Sequence, residues 1–246
     1  MTEDALRVFV GYDSREDEAY QVCRHSILRH ASKPVLVTPL KQPALRRMGL
    51  YRRAPLPDTR VDSVDGKNFS TEFTFTRFLV PHLMQYEGWA VVMDCDFLLR
   101  ADIAKVFKLA EGRCAAMVVH HDHKPGEWLK MDGLKQSAYK GKNWSSFVLW
   151  NCGHPDNELL SVDDINNRPG WWLHRFKWIR DVWKLGSLPE EWNWLEGHSP
   201  PDIDPKAVHY TRGGPWFDAW KNVDYADEWW NEKRLMEKAC GSWSSL

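Results

Sequence analysis

Two carboxylates two residues apart, Asp94 and Asp96, stand directly behind the apolar run Trp89-Ala90-Val91-Val92-Met93. A short Val-rich run reads as a buried strand, and its carboxyl end is where an α/β sheet presents side chains to a ligand crevice. Carboxylates in that place either hold a hard divalent cation or stay solvated in a turn, because an uncompensated buried charge is costly. Mg2+ or Mn2+ takes mostly oxygen ligands, with phosphate oxygens and water completing an octahedron, and Mn2+ accepts an imidazole more readily than Mg2+ does. One distant histidine would then complete a set suited to carrying a diphosphate, whose departure such a cation eases by neutralising charge. His209 is the better candidate. It lies in the short strand expected over Ala207-Val208-His209-Tyr210 and precedes Thr211-Arg212-Gly213-Gly214-Pro215-Trp216. Glycines there permit close backbone approach to phosphate, and Arg212 offers a bidentate oxyanion partner. The run His120-His121-Asp122-His123 draws attention first. Adjacent residues of an extended chain point to opposite faces, however, and the spacing matches no usual zinc arrangement, so site lining is the most it is expected to do.

The elements that must position these groups follow from periodicity. Leu6 to Val10 reads as a first strand ending at Gly11-Tyr12-Asp13-Ser14; Ser14 and Asp17 resemble a capping pair. Ala19, Val22, Cys23, Ile27 and Ala31 recur at helical spacing, and Pro34-Val35-Leu36-Val37 starts a second strand, so the chain opens as a β-α-β unit with a parallel sheet. Residues 39–69 carry four prolines and little periodicity, which predicts a long irregular excursion. Its Arg46, Arg47, Arg52 and Arg53 read as a solvated loop, with an anion-binding patch as the alternative. A helix kinked at Pro81 is expected over 71–85, then the strand to Met93, a helix opened by Asp102, and strands over 114–119 and 146–150. The Trp-rich, Pro-punctuated stretch 155–205 yields no assignment, and a charged helix is expected over 224–239.

Bulk composition narrows the field. The 246 residues suffice for a substantial core, and a single domain is expected, with a nucleotide-binding part over about 1–110 and an acceptor and closing part over about 111–246. A net charge of −1, from 33 basic and 34 acidic residues, offers no global argument for nucleic-acid binding, and no nucleic-acid partner is expected. No apolar run reaches the roughly 18 residues of a membrane span. The acidic start Met1-Thr2-Glu3-Asp4 is unlike a signal peptide, and five scattered cysteines without a Cys-x-x-Cys pair read as reduced thiols, so the cytoplasm is the expected compartment, with peripheral attachment to a membrane as a variant. The sequons at Asn68 and Asn143 then carry no consequence. Fifteen tryptophans are expected to serve mainly as core, since indole buries a large area.

Taken together, these segments resemble glycosyltransferase family 8 and its bacterial relatives, nucleotide-sugar enzymes with the GT-A fold. Val8-Phe9-Val10-Gly11-Tyr12-Asp13 is similar to that family's opening uridine-binding strand, and Phe75-Thr76-Arg77-Phe78-Leu79-Val80-Pro81 to its Arg-bearing helix. Val91-Val92-Met93-Asp94-Cys95-Asp96 matches its Asp-x-Asp strand, Leu188-Pro189-Glu190-Glu191-Trp192-Asn193 its Leu-Pro-x-x-Trp-Asn segment, and Val208-His209-Tyr210-Thr211 through Pro215-Trp216 its closing motif. The pieces are in family order and span most of the chain.

The resemblance implies an α/β fold of GT-A (Rossmann-like) type with a mixed, mainly parallel central sheet flanked by helices. It implies that Asp94, Asp96 and His209 hold Mn2+ (or Mg2+) against the diphosphate of a nucleotide sugar, a UDP-sugar being expected, with Cys95 beside it. Gly11, Tyr12 and Asp13 would hold the nucleoside; Arg77 would orient the Asp-x-Asp loop or the sugar phosphate; Gly214 and Trp216 would close over the phosphates. The implied reaction is transfer of a hexose to a hydroxyl of a glycan, lipid-linked or small-molecule acceptor, with retention favoured. Three departures stand out: Gly214 occupies the place of the usual Lys before Pro-Trp, with Arg212 its possible substitute; Ser145-Ser146-Phe147 replaces Asn-Ala-Gly; and the Asp-Gln segment has no clean counterpart, Asp181 being the nearest acid. If the reaction inverts, Asp181, Glu190, Glu191 or Asp122 is the expected base. Two rivals remain: a phosphatase using Asp94 as nucleophile and Asp96 as acid, which Leu98 disfavours, and an inactive nucleotide- or carbohydrate-binding module.

Overall fold

The computed structural model describes residues 5–121 and 144–241. Asp122, His123 and the Asn143 sequon lie outside the described residues. Nine strands are described: β1 Leu6–Gly11, β2 Val35–Leu40, β3 Trp89–Met93, β4 Phe97–Leu99, β5 Ala116–Val118, β6 Phe147–Asn151, β7 Leu185–Ser187, β8 Trp194–Leu195 and β9 Ala207–His209. The α-helices are α1 Asp17–His30, α2 Gln42–Arg47, α3 Val80–Leu83, α4 Ala104–Phe107, α5 Pro155–Glu158, α6 Val162–Asn167, α7 Gly170–His174 and α8 Ala226–Gly241.

Six strands form the main sheet in the order β2-β1-β3-β6-β5-β7. β1 pairs in parallel with β2 and β3, and β5 with β7, whereas β6 runs antiparallel to both of its neighbours. The apolar runs are continuous because both faces of the sheet are covered. Alternation sends Phe9, Ala90, Val92, Val148 and Trp150 into one core, where Phe78, Phe176 and Trp178 meet them. Val8, Val10, Val91, Met93 and Leu149 face the other core, against Tyr20, Cys23 and Ile27 of α1. A second sheet, β4-β9-β8, sits beyond the end of β3 and packs with α8 through Trp229, around Leu98, Trp194 and Val208.

Tryptophan serves the core as expected at Trp150, Trp178, Trp192, Trp194 and Trp229, while Trp171 and Trp183 are exposed. Cys23, Cys95, Cys114 and Cys152 are buried free thiols. No described helix is long and apolar enough to cross a membrane.

The structure corrects three local expectations. The helix predicted over 71–85 is a turn at 72–75, a 3-10 segment Thr76–Leu79 and the single turn α3. Pro81 has no N–H to offer the Arg77 carbonyl, so the α turn begins only at Val80 with Pro81 in its first turn, and Gln85 and Tyr86 follow it in left-handed backbone (φ 55° and 57°). Ser14 does not cap α1: Asp13 caps the 3-10 turn Ser14–Glu16 that leads into it, its carboxylate accepting from Arg15 N–H, and the Ser14 hydroxyl donates to Glu72 instead. In the 39–69 excursion Arg46, Arg47 and Arg52 are exposed, as a solvated loop requires, but Arg53 is buried. Its guanidinium donates to Asp62 (2.8 Å) and to the carbonyls of Ile165 and Arg168, and stacks 3.7 Å from the Phe75 ring centre. It is a strut between the excursion and α6, held there because an unpaired buried guanidinium would be far more costly.

Candidate metal centre

The site is built where the two sheets meet. β3 pairs with β6 up to Met93 opposite Phe147, and the Asp94 N–H extends that ladder by donating to the Ser146 carbonyl at 3.0 Å. Cys95 turns inward and is fully buried, so the side chains of Asp94 and Asp96 flank it with 14% and 18% exposure. The chain then enters β4, whose Phe97 lies directly opposite His209 of β9. The two rings stack with centroids 4.3 Å apart and planes 14° from parallel, and the Tyr210 N–H donates to the Asp96 carbonyl at 3.0 Å.

This register brings one ligand atom each from Asp94, Asp96 and His209 within 4.8 Å of one another. Asp96 Oδ1 is buried, accepts no hydrogen bond, and lies 3.4 Å from His209 Nε2. A buried carboxylate oxygen left in that state is costly unless something positive completes it. Two carboxylates and an imidazole form a donor set that Mn2+ accepts, and Mg2+ less readily, so the residues fit the expected cation. Arg77 flanks the cluster: its Nη1 lies 2.7 Å from Asp94 Oδ1 and donates to the Ser145 carbonyl at 2.8 Å. The Ser145 hydroxyl meets His174 Nδ1 at 2.7 Å.

At the end of β1, Gly11 has no room for a side chain, since a Cβ there would come within 2.6 Å of the Phe73 ring. Tyr12 is half-buried, donates to Asp17 Oδ1 at 2.7 Å and has Lys41 Nζ 4.1 Å over its ring. The hydrogen bond to Asp17, reinforced by burial, pushes its phenol up to about 12. Asp13 has no exposed surface: its carboxylate receives Arg15 Nε and Nη2 (2.9 and 2.7 Å) and the Glu72 N–H (3.1 Å). Burial alone would raise this carboxyl, but the Arg15 guanidinium and the two backbone donors outweigh it and hold it below the usual carboxylate range. Arg15, which the sequence did not single out, is thus the residue that covers Asp13.

Beyond β9, Arg212 is clamped by the buried Glu196, its Nη2 meeting Glu196 Oε2 at 2.9 Å, and the guanidinium lies 4.9 Å from the Trp220 ring centre. Gly197 (φ 69°) is required beside it, because a Cβ there would overlap Arg212. Gly214 is closed against the Trp216 ring in the same way. Of the expected acids, Asp181 is exposed and caps a 3-10 turn by accepting from Trp183 N–H, Glu190 accepts from the Ser199 hydroxyl, and Glu191 pairs with Lys206. None of them joins the metal cluster among the described residues. The His120 ring lies tilted 4.5 Å from the Trp144 ring centre and meets Ser187 Oγ at 3.1 Å, so it too is outside that cluster. Two supporting residues had no role assigned from sequence: Asn193, fully buried, meets His209 Nδ1 at 2.9 Å through Oδ1 and donates through Nδ2 to Ser146 Oγ at 2.9 Å. A signal existed, since Asn193 is a lone amide between Trp192 and Trp194.

This fold is that of the GT-A glycosyltransferases. The WbbM bifunctional glycosyltransferase superposes with a TM-score of 0.60 over 94% of this chain and 50% of that one, at 16% identity. GlyE of Streptococcus pneumoniae TIGR4 gives 0.59 over 97% of this chain and 64% of its own, at 15% identity. The galactosyltransferase LgtC, solved with donor and acceptor sugar analogues, gives 0.58 over 94% and 96% at 10% identity. The chain therefore spans about half of WbbM and two thirds of GlyE. No protein-family profile matches it. It belongs to the family of Protein CDI of Arabidopsis thaliana, to which it is 53% identical over 238 residues, 95% of this chain and 88% of that protein.

Proposed function

We propose that this protein is a metal-dependent glycosyltransferase that moves a hexose from a UDP-sugar to an acceptor hydroxyl, working as one unit over its whole length. The observation that carries the reading is the convergence of Asp94, Asp96 and His209 within 4.8 Å, with a buried Asp96 oxygen lacking a hydrogen-bond donor. These three residues would hold Mn2+, which when bound supplies charge neutralisation for a diphosphate leaving group. Arg77 holds Asp94 in place from the sugar side. The ends of β1 and α1 supply the nucleoside floor, with Gly11 and Tyr12 offering backbone and ring, and Asp13 keeping the loop closed through Arg15. Gly214 and Trp216 form the wall over the phosphates, and Cys95 packs beneath.

Retention of configuration is the favoured course. Asp181 and Glu191 are engaged elsewhere as a helix cap and an ion pair, which suits a displacement that needs no side-chain nucleophile. In that course the bond from the anomeric carbon to the phosphate oxygen breaks, the acceptor oxygen bonds to the same face, and the acceptor proton passes to the departing phosphate. The acceptor is a glycan, lipid-linked or small-molecule hydroxyl, met in the cytoplasm or at a membrane face.

The test is UDP release from a panel of UDP-sugars with Mn2+, comparing the natural protein with Asp96→Ala and His209→Ala. Loss in both variants is expected, and full activity in both sinks the assignment. A binding-only module is the second reading, favoured by Gly214 in the usual Lys place and by Arg212 being clamped on Glu196. Calorimetric binding of UDP with Mn2+, without turnover on any donor and acceptor offered, would establish it.

A further inference from the structure

Polar side chains lie directly behind His209 as well as beside it. His209 is 2% exposed and its ring is fixed on one face and at both nitrogens: Phe97 stacks on it, Nε2 faces Asp96, and Nδ1 faces Asn193 Oδ1. Asn193 has no solvent access, and its other amide atom donates to Ser146 Oγ. Ser146 is itself 3% exposed, and its backbone carbonyl receives the Asp94 N–H. One residue immediately before β6 therefore reaches both arms of the metal cluster: Asp94 through its carbonyl and, through Asn193, His209.

We propose, resting on the metal reading above, that Asn193 and Ser146 are positioning residues that set the tautomer of His209. Only one protonation pattern lets an imidazole ligate through Nε2: the proton must sit on Nδ1, so Nδ1 needs an acceptor. An amide can present either its oxygen or its nitrogen to a ring nitrogen, so an amide alone does not decide the tautomer. The structure places Nδ2 of Asn193 against Ser146 Oγ and Oδ1 against His209 Nδ1, and in that placement, which Ser146 holds by accepting from Nδ2, Nδ1 is the donor to Oδ1. The Nε2 lone pair is then aimed at the space shared with Asp94 and Asp96. The Ser145-Ser146 departure from the resembling family thus gains a job, since Ala in the second position would leave the Asn193 amide without its orienting hydroxyl.

The test is Mn2+ affinity on the full-length chain, read without turnover by the electron paramagnetic resonance signal of free Mn2+, alongside melting curves for each variant. Asn193→Ala is expected to weaken Mn2+ about 10- to 100-fold, the usual cost of losing a partner behind a ligating histidine. Asn193→Asp, which can only accept from Nδ1, is expected to stay within about threefold of the natural protein, because the required tautomer is preserved. Ser146→Ala is expected to weaken Mn2+ in the Asn193 background and to have no further effect in the Asn193→Asp background, where nothing needs orienting. Equal losses in Asn193→Ala and Asn193→Asp would overturn the tautomer role and leave a packing role only. Unchanged affinity in Asn193→Ala, with His209→Ala impaired, would overturn the relay and keep the metal site. Absence of Mn2+ binding by the natural protein, or unchanged binding by His209→Ala, would overturn the metal reading itself. If Asn193→Ala does not fold, the Ser146→Ala pair of measurements decides.

Discussion

Two buried clusters of ionisable groups sit toward opposite ends of the three-residue strand β4, and they have been finished differently. At the Phe97 end, Asp94, Asp96 and His209 converge but leave Asp96 Oδ1 buried with no hydrogen-bond donor. At the Leu98-Leu99 end, where α1 meets α8 around a cavity of about 400 Å3, Glu232 is 2% exposed. There Oε1 receives His25 Nδ1 at 2.6 Å and Arg29 Nε at 2.9 Å, and Oε2 receives Arg29 through Nε and Nη2. Glu232 is saturated by its own chain, so it joins two helices and has no capacity left for a ligand. The metal cluster already holds Arg77 on Asp94 but leaves Asp96 Oδ1 unfilled within reach of Asp94 and His209, which is the condition for recruiting a cation. What separates a binding site from a structural ion pair here is unfilled acceptor capacity; acidity and burial are common to both.

The contrast can be broken most sharply by trading effects between the two ends. Asp96→Ala is expected to lower Mn2+-dependent UDP-sugar turnover about 10^3-fold, equivalent to ~4 kcal/mol of lost leaving-group stabilisation, with the melting temperature unchanged within a few degrees. Glu232→Ala is expected to do the reverse: about 3 kcal/mol of stability lost in urea titrations, with turnover at the untouched site within about twofold. If Glu232→Ala abolishes turnover in a folded protein, the two clusters are not separate in function. A subtler effect comes from ligand linkage. Mn2+ at about 100 times its dissociation constant should stabilise the natural protein by ~2.7 kcal/mol, and this increment should vanish in Asp96→Ala while surviving in Glu232→Ala. An equal increment in both variants would place the cation elsewhere.

The smallest effect concerns Asp13, a third buried carboxylate and, like Glu232, one closed by its own chain. Its folded-state pKa lies below the unfolded value of ~3.9, so it contributes stability that is fully present above that value and lost as pH falls through the folded pKa. Urea midpoints measured from pH 6 down to pH 2 should therefore decline in the acid range, and Asp13→Asn should flatten part of the decline while costing about 1 kcal/mol at neutral pH. A pH profile unaltered by the substitution would show that Asp13 does not carry that term.

Legibility in the sequence tracks how local each determinant is. Val8 to Val10 and Trp89 to Met93 read as buried strands because continuous apolar runs of that length have few other stable homes, and both are strands of the main sheet. Asp94, Asp96 and His209 were readable as a ligand set from residue type and flanking glycines, and the β4–β9 register places them together. The 71–85 helix was misread because apolar spacing is compatible with both 3-10 and α backbone, and only the missing Pro81 donor separates them. Arg53 looked like one of four loop arginines, yet its burial depends on Asp62 and on carbonyls of Ile165 and Arg168, more than a hundred residues further on. Asn193 and Ser146 escaped for the same reason: each is an ordinary polar residue until the other is brought to 2.9 Å.

The sequence by itself determined that the runs at 6–10, 35–37, 89–93, 114–119, 146–150 and 207–210 would be strands, and which three side chains could ligate a hard cation; β4, β7 and β8 were not legible in it. Those properties follow from side-chain type and short-range spacing. The tertiary structure alone decided that β6 runs against its neighbours, that Arg15 seals Asp13, that Glu196 holds Arg212, and that Asn193 stands behind His209. Apart from the Arg15–Asp13 contact, which spans two residues, each of these is a pairing between separated positions, settled by which buried polar groups can satisfy one another once the chain is packed. Asp94 and Asp96 were visible as an acidic pair from the start, and the fold is what held Asp94 on Arg77 while leaving Asp96 Oδ1 without a hydrogen-bond donor.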